Sequence, residues 1–157
     1  MAAEIGKPAA AFTLAGSDNT HQGRRDYSLA DYAGQVVVLV FYPGDSTPVC
    51  TRQLNAYTGD IDSFTAAGAQ VLAISPQSVA SHDEFSCKQG GFAFPLLADT
   101  DKAVGEAYGI LGPLGFYRRS AFVVDAKGIV RYAHKAVAGL TFRSTDELVA
   151  AVGAASS

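Results

Sequence analysis

The chain contains no tryptophan, a single methionine and only two cysteines among its 157 residues. Two cysteines cannot staple a small secreted scaffold, so a disulfide framework is excluded. Charge of either sign is scarce. Asp, Glu, Lys and Arg make up 17% of the chain, and the net charge is −3 with no basic block. A nucleic-acid partner is therefore not expected. Long hydrophobic runs are missing as well. The longest, Val36 to Tyr42, covers seven residues, against the roughly 20 needed to cross a bilayer, so no membrane partner is expected. The opening residues, Met1 to Pro8, carry no apolar stretch of the kind a secretory leader needs. The expectation is a cytoplasmic protein with reduced thiols.

What the chain does have is an ordinary globular composition, 48% hydrophobic. With no repeat and no linker in it, this length predicts one domain over residues 1–157 around one sizeable core. The small residues Gly153 to Ser157 are expected to fray. Val36–Phe41 is β-branched and continuously apolar, which predicts a strand buried on both faces. Gln70–Ser75 and Ala121–Asp125 read the same way. Ala126-Lys127-Gly128 is then a tight turn into a returning strand over Ile129–His134. A short N-terminal pair is predicted at Phe12–Leu14 and Asp26–Ser28. Helices are predicted over Pro48–Phe64 (one or two, broken at Gly59), Val79–Gln89, Lys102–Tyr108 and Ser144–Val152, the last with a capping start. The order predicts an α/β fold: a mixed central sheet with helices on both faces and an N-terminal β-hairpin.

The chemistry concentrates just beyond Val36–Phe41, at the carboxyl end of a strand, where open α/β sheets place their sites. The stretch runs Phe41-Tyr42-Pro43-Gly44-Asp45-Ser46-Thr47-Pro48-Val49-Cys50-Thr51-Arg52-Gln53. Proline suits the first position of a helix, which makes Thr47 the predicted cap and puts Cys50 at the third helical position. A thiolate there meets free backbone N–H groups and the positive end of the helix dipole, both of which favour it over the thiol. A free cysteine is often only a small buried hydrophobe. The Thr-Pro-Val-Cys context shifts the balance toward an activated thiolate.

Pro43, Thr47 and Cys50 together match the Pro-x-x-x-Thr-x-x-Cys signature of the peroxiredoxins, which this sequence resembles. Phe41-Tyr42-Pro43, with Pro48 ahead of the cysteine, is similar to the bacterioferritin comigratory protein, or peroxiredoxin Q, subfamily. So are Ser81-His82-Asp83-Glu84-Phe85, Phe94-Pro95-Leu96-Leu97-Ala98-Asp99 and the arginine-containing strand Arg119-Ser120-Ala121-Phe122-Val123-Val124-Asp125. The likeness runs from about Gly6 to Val152. It implies a thioredoxin-like fold, reduction of hydroperoxides, and no metal or organic cofactor. It implies that Cys50 is the peroxidatic cysteine, that the Thr47 hydroxyl helps orient the peroxide, that Pro43 shields the thiolate and that Arg119 stabilises thiolate and transition state. It also implies a thioredoxin-like reductant as partner and a monomer or weak dimer.

Two departures stand out. Subfamily members often have Glu three residues after the peroxidatic cysteine, where this chain has Gln53. Gln can hydrogen-bond to an arginine but cannot pair its charge. The commonest members also carry a second cysteine at the position of Asn55, and it is absent here.

Cys87 is the only other thiol. On its predicted helix it shares a face with Ala80, Asp83 and Glu84. That face is half polar, which predicts a thiol near the surface. A second pattern in the subfamily places the resolving cysteine on this helix, and Cys87 fits it. A bystander surface thiol is the alternative. His21, His82 and His134 are far apart, match no zinc spacing and read as surface or structural residues. Gly109, Gly112 and Gly115 neither follow a strand nor open a helix, so they make a poor phosphate loop.

The reading is a two-cysteine thiol peroxidase: Cys50 becomes a sulfenic acid, Cys87 condenses with it, and a dithiol donor restores both. The rivals are a one-cysteine peroxidase resolved by an external thiol, and a non-catalytic redox sensor. A thioredoxin-type oxidoreductase is disfavoured, since no Cys-x-x-Cys is present.

Overall fold

The computed structural model describes residues 4–17, 24–45, 48–112, 115–135 and 143–156. Among these residues seven strands form one sheet: β1 (Thr13–Ser17), β2 (Arg24–Ser28), β3 (Val36–Phe41), β4 (Ala69–Ser75), β5 (Leu96–Ala98), β6 (Ser120–Val124) and β7 (Val130–Lys135). Their spatial order is β2-β1-β5-β4-β3-β6-β7. β3 runs parallel to β4, and β4 parallel to β5. The outer pairings, β1 with β2 and β5, and β6 with β3 and β7, are antiparallel. Among the described residues, five α-helices accompany the sheet, besides a short 3-10 helix at Leu29–Tyr32: α1 (Pro48–Gly59), α2 (Ile61–Ala66), α3 (Val79–Lys88), α4 (Ala103–Ala107) and α5 (Thr145–Ala155). The mixed sheet, the helices on both faces and the N-terminal hairpin agree with the sequence-based expectation.

Alternation along β3 explains the layers, because successive side chains in a strand point to opposite faces. Val36, Val38 and Val40 join Cys50, Leu54, Tyr57, Phe64, Phe85, Leu148 and Val152 on one face. Val37, Leu39 and Phe41 join Tyr108, Ile110, Tyr117 and Phe122 on the other. All six residues of β3 are buried, which is why this strand shows a continuous apolar run rather than an alternating one. Leu39→Ala is expected to cost about 2–5 kcal/mol, because Leu39 is wholly buried and the surroundings refill such a cavity only partly. Urea unfolding checks this; a loss under 1 kcal/mol would show that the sheet relaxes into the space.

Several boundaries differ from the sequence reading. α5 continues to Ala155 instead of fraying from Gly153, because Leu148, Val152 and Ala155 form one buried stripe at helical spacing. Its predicted start holds, with the Ser144 side chain accepting from Glu147 N–H. The break between α1 and α2 falls at Asp60 rather than Gly59, and the Asp60 carboxylate accepts a bond from the Thr145 hydroxyl at 2.8 Å. α4 begins after Lys102, whose φ of 61° lies in the left-handed region. The buried Asp99 carboxylate then accepts from Val104 N–H and Gly105 N–H at the start of α4. β5 has no counterpart among the predicted strands. Three residues after a proline carry no periodic signal, and its existence rests on pairing with β4 and β1.

Candidate active site

Three elements meet at the carboxyl end of β3. α1 starts at Pro48, so Cys50 is its third residue, as the sequence predicted. Its side chain is wholly buried. Thr47, predicted as the cap of this helix and as a site residue, lies outside the described residues. Pro43 sits in the turn that leaves β3, half-buried. The third element is β6. Its antiparallel register sets Ser120 opposite Phe41, the last residue of β3. Arg119, one residue earlier, is thereby delivered to the end of β3, although 69 residues separate it from Cys50.

The guanidinium bridges the site. Nη2 of Arg119 donates to Sγ of Cys50 at 3.1 Å, and Nη1 donates to Oε1 of Gln53 at 2.5 Å. Arg119 and Gln53 are themselves buried. Cys50 and Gln53 lie three residues apart on α1, hence on one helical face, and the planar fork of an arginine can reach both. The guanidinium thus sets a cationic hydrogen-bond donor directly against a sulfur that is closed off from water. The neutral Gln53 amide orients the guanidinium without neutralising it.

Behind this triad stands Tyr57, one turn on from Gln53. Its hydroxyl donates to the Arg143 carbonyl at 2.5 Å, and burial pushes the phenol up to about 12 against the opposing effect of its hydrogen bond with Gln53. Tyr57 thus ties the active-site helix to the chain entering α5, a link that nothing in the sequence pattern signalled.

Cys87 lies on α3 and is exposed, as predicted, and both cysteines are free. Ser86, beside it, has a buried hydroxyl with no hydrogen-bond partner among the described residues. Gly90 and Gly91, with φ of 79° and 95°, follow Gln89, which caps the end of α3. Asn55 donates to Gln89 Oε1 at 2.9 Å and so links α1 to the end of α3.

The histidines divide. His21 lies outside the described residues. His134 is half-buried on β7, held below its ordinary value first by burial and then by the charge of Arg143. His82 is completely buried. Its Nδ1 meets the Asp45 carboxylate at 2.8 Å, and its Nε2 donates to the Leu97 carbonyl at 2.9 Å. Asp45 also accepts from the hydroxyls of Tyr42 and Ser81. Burial, followed by the Asp45 charge, drives the Tyr42 phenol far above its ordinary value. The sequence reading treated His82 as surface or structural and missed this cluster. The Asp45–His82 pairing spans 37 residues and leaves no local pattern. Among the described residues no group of three or more His, Cys, Asp or Glu is placed to hold a metal ion.

A thiol seated at a helix start beneath a buried guanidinium is the arrangement to compare with known proteins. The sequence profile of the AhpC/TSA family matches residues 5–133. The chain belongs to that family. Peroxiredoxin Bcp of Xanthomonas campestris pv. campestris is 38% identical over 137 residues, covering 83% of this chain and 83% of that protein. A protein named thioredoxin peroxidase from Echinococcus granulosus is 38% identical over 138 residues, 83% of this chain and 70% of its own length. Among solved structures, the reduced 2-Cys peroxiredoxin of Plasmodium vivax matches with a TM-score of 0.87 at 25% identity, over 96% of this chain and 94% of that one. The chain is thus a peroxiredoxin with a thioredoxin-like fold, and an oxidoreductase of the peroxidase type. Similarity to Bcp agrees with the comigratory-protein subfamily suggested by the motifs. Among the described residues no helix is long and apolar enough to cross a membrane.

Proposed function

We propose that the protein reduces hydroperoxides through Cys50 and closes its cycle through Cys87. The observation that carries this reading is the 3.1 Å contact from Arg119 Nη2 to the buried Cys50 sulfur. The thiolate attacks the nearer oxygen of the hydroperoxide in line with the O–O bond. An S–O bond forms, the O–O bond breaks, and the departing oxygen takes the electron pair and a proton to leave as water or alcohol. Negative charge grows on that oxygen, and a preorganised guanidinium stabilises it without reorganising. Pro43, at the turn beside β3, shields the sulfur from water, and the Thr47 hydroxyl orients the peroxide.

The Cys50 sulfenic acid then condenses with the Cys87 thiol, releasing water and leaving an intramolecular disulfide. Cys50 is enclosed and Cys87 is exposed, so the two meet only after a local opening of α1, α3 or both. A thioredoxin-like dithiol attacks the accessible Cys87 sulfur, and the Cys50 sulfur leaves beside the Arg119 guanidinium. Such a cycle belongs in a reducing, cytoplasm-like compartment, with the protein acting as a monomer or weak dimer.

The test is to mix reduced protein with one equivalent of hydrogen peroxide, count free thiols and weigh the products. Loss of both thiols and one Cys50–Cys87 bond is expected, with peroxide left unconsumed by Cys50→Ser. A persistent Cys50 sulfenic acid with Cys87 still reduced would favour the one-cysteine mechanism. Reaction without turnover in the presence of a dithiol donor would favour a sensor.

A further inference from the structure

One buried cluster beside the site is not used by this mechanism. Asp45 lies five residues before Cys50 and three before Pro48, the first residue of α1. Its backbone N–H donates to Gln77 Oε1 at 3.2 Å, and its carboxylate accepts from Ser81 at 2.6 Å and from Tyr42 at 2.7 Å and lies 2.8 Å from His82 Nδ1. Tyr42 belongs to the same packed cluster as Cys50. Asp45, on the segment that leaves β3 toward Cys50, is therefore fastened to α3 and the turn before it.

His82 is the centre of that attachment. A backbone carbonyl can only accept, so Nε2 donates to Leu97 of β5. Nδ1 lies 2.8 Å from the Asp45 carboxylate and makes the ring's second hydrogen bond. One wholly buried ring thus holds two separate elements, β5 and the Cys50 loop, to α3. Buried hydrogen bonds to a charged group are among the stronger ones, and they are costly to leave half made.

We propose that His82 is a positioning residue for the peroxidase reaction: its Nδ1 bond to Asp45 fixes the loop that sets Cys50 against Arg119, and ties that loop to the helix carrying Cys87. Cys87 follows His82 by five residues on α3. A movement of α3 that brings Cys87 toward Cys50 therefore also pulls on Asp45. This role presupposes the peroxidase reading of Cys50.

Two amides separate the two bonds of the ring. The amide nitrogen of Asn overlays Nδ1 of histidine, and that of Gln overlays Nε2. His82→Asn keeps a donor toward Asp45 and gives up the bond to Leu97. His82→Gln does the reverse. The measurements are the rate of Cys50 oxidation by hydrogen peroxide, followed by mass after trapping, and amide hydrogen exchange over residues 42–54. Val130→Ala, a cavity in the opposite core layer, serves as a control for general loss of stability.

His82→Gln is expected to slow Cys50 oxidation roughly tenfold or more and to raise exchange over 42–54. His82→Asn is expected to restore most of the rate, and Val130→Ala to leave the rate near that of the unaltered protein. Equal slowing in both amide variants, a slower Asn than Gln variant, or no slowing in either would overturn the proposal. If the Gln variant does not fold, Ser81→Ala removes one donor from Asp45, and a rate that does not fall by about twofold or more overturns it too. Should the unaltered protein itself not react with peroxide, the peroxidase reading fails. The exchange pattern of the Asn and Gln variants still decides whether His82 holds the loop.

Discussion

Arg119→Met is expected to slow peroxide reduction by on the order of 10²-fold or more, the usual cost of one preorganised donor at a developing anion. Methionine fills much of the same space but reaches neither Cys50 nor Gln53 with a hydrogen bond. The Gln53 carbonyl is left buried without the Arg119 donor, which costs about 1–3 kcal/mol of stability. The rate loss is therefore large compared with the stability loss, and the two are read separately by stopped-flow thiol oxidation and thermal unfolding. Arg119→Lys is expected to recover only part of the rate, since a point charge cannot bridge sulfur and amide as the planar fork does. An Arg119→Met protein that keeps most of its activity would mean that the 3.1 Å contact to Cys50 has no part in the chemistry.

Cys87→Ser is expected to leave the first oxidation of Cys50 within about twofold of the unaltered rate. Turnover with a dithiol donor should fall by on the order of 10²-fold, because an enclosed sulfenic acid has lost the effective concentration of a tethered thiol. The reason for separating the two steps is geometric. Cys50 is sealed in the core against the sheet, while Cys87 lies in solvent on α3, so the second cysteine has no contact through which to influence the first attack. In the unaltered protein, the disulfide form should show faster hydrogen exchange over residues 48–57 or 79–89 than the reduced form, since a disulfide needs Cα atoms within about 7 Å. Unchanged exchange in both segments, with the disulfide verified by mass, would rule out the local opening. Full turnover by Cys87→Ser would move the resolving role to an external thiol.

The sequence carried the β3 boundaries, Val36–Phe41, because a strand buried on both faces needs an unbroken apolar run and nothing else in the chain supplies one of that length. It carried the position of Cys50 in α1, because proline fixes a helix start and the count from it is local. It also carried the exposure of Cys87, because helical spacing sets which residues share its face. A match of Pro43, Thr47 and Cys50 to a known signature then pointed to the peroxiredoxins, the family to which the chain belongs.

The tertiary structure decided everything that depends on register between distant segments. The antiparallel pairing of β6 with β3 brings Arg119 to Cys50, and a shift of one residue would turn its side chain to the other face of the sheet. β5 exists only because β4 and β1 pair with it, and a three-residue strand has too little period to be read alone. Gln53, a doubtful departure in the sequence, becomes a partner of Arg119, and His82, one histidine among three, becomes the link between the Cys50 loop and α3. Local pattern reports which face of an element a side chain occupies. It holds no information on which other element that face will meet, because burial depends on the sum of contacts and only the assembled sheet determines them.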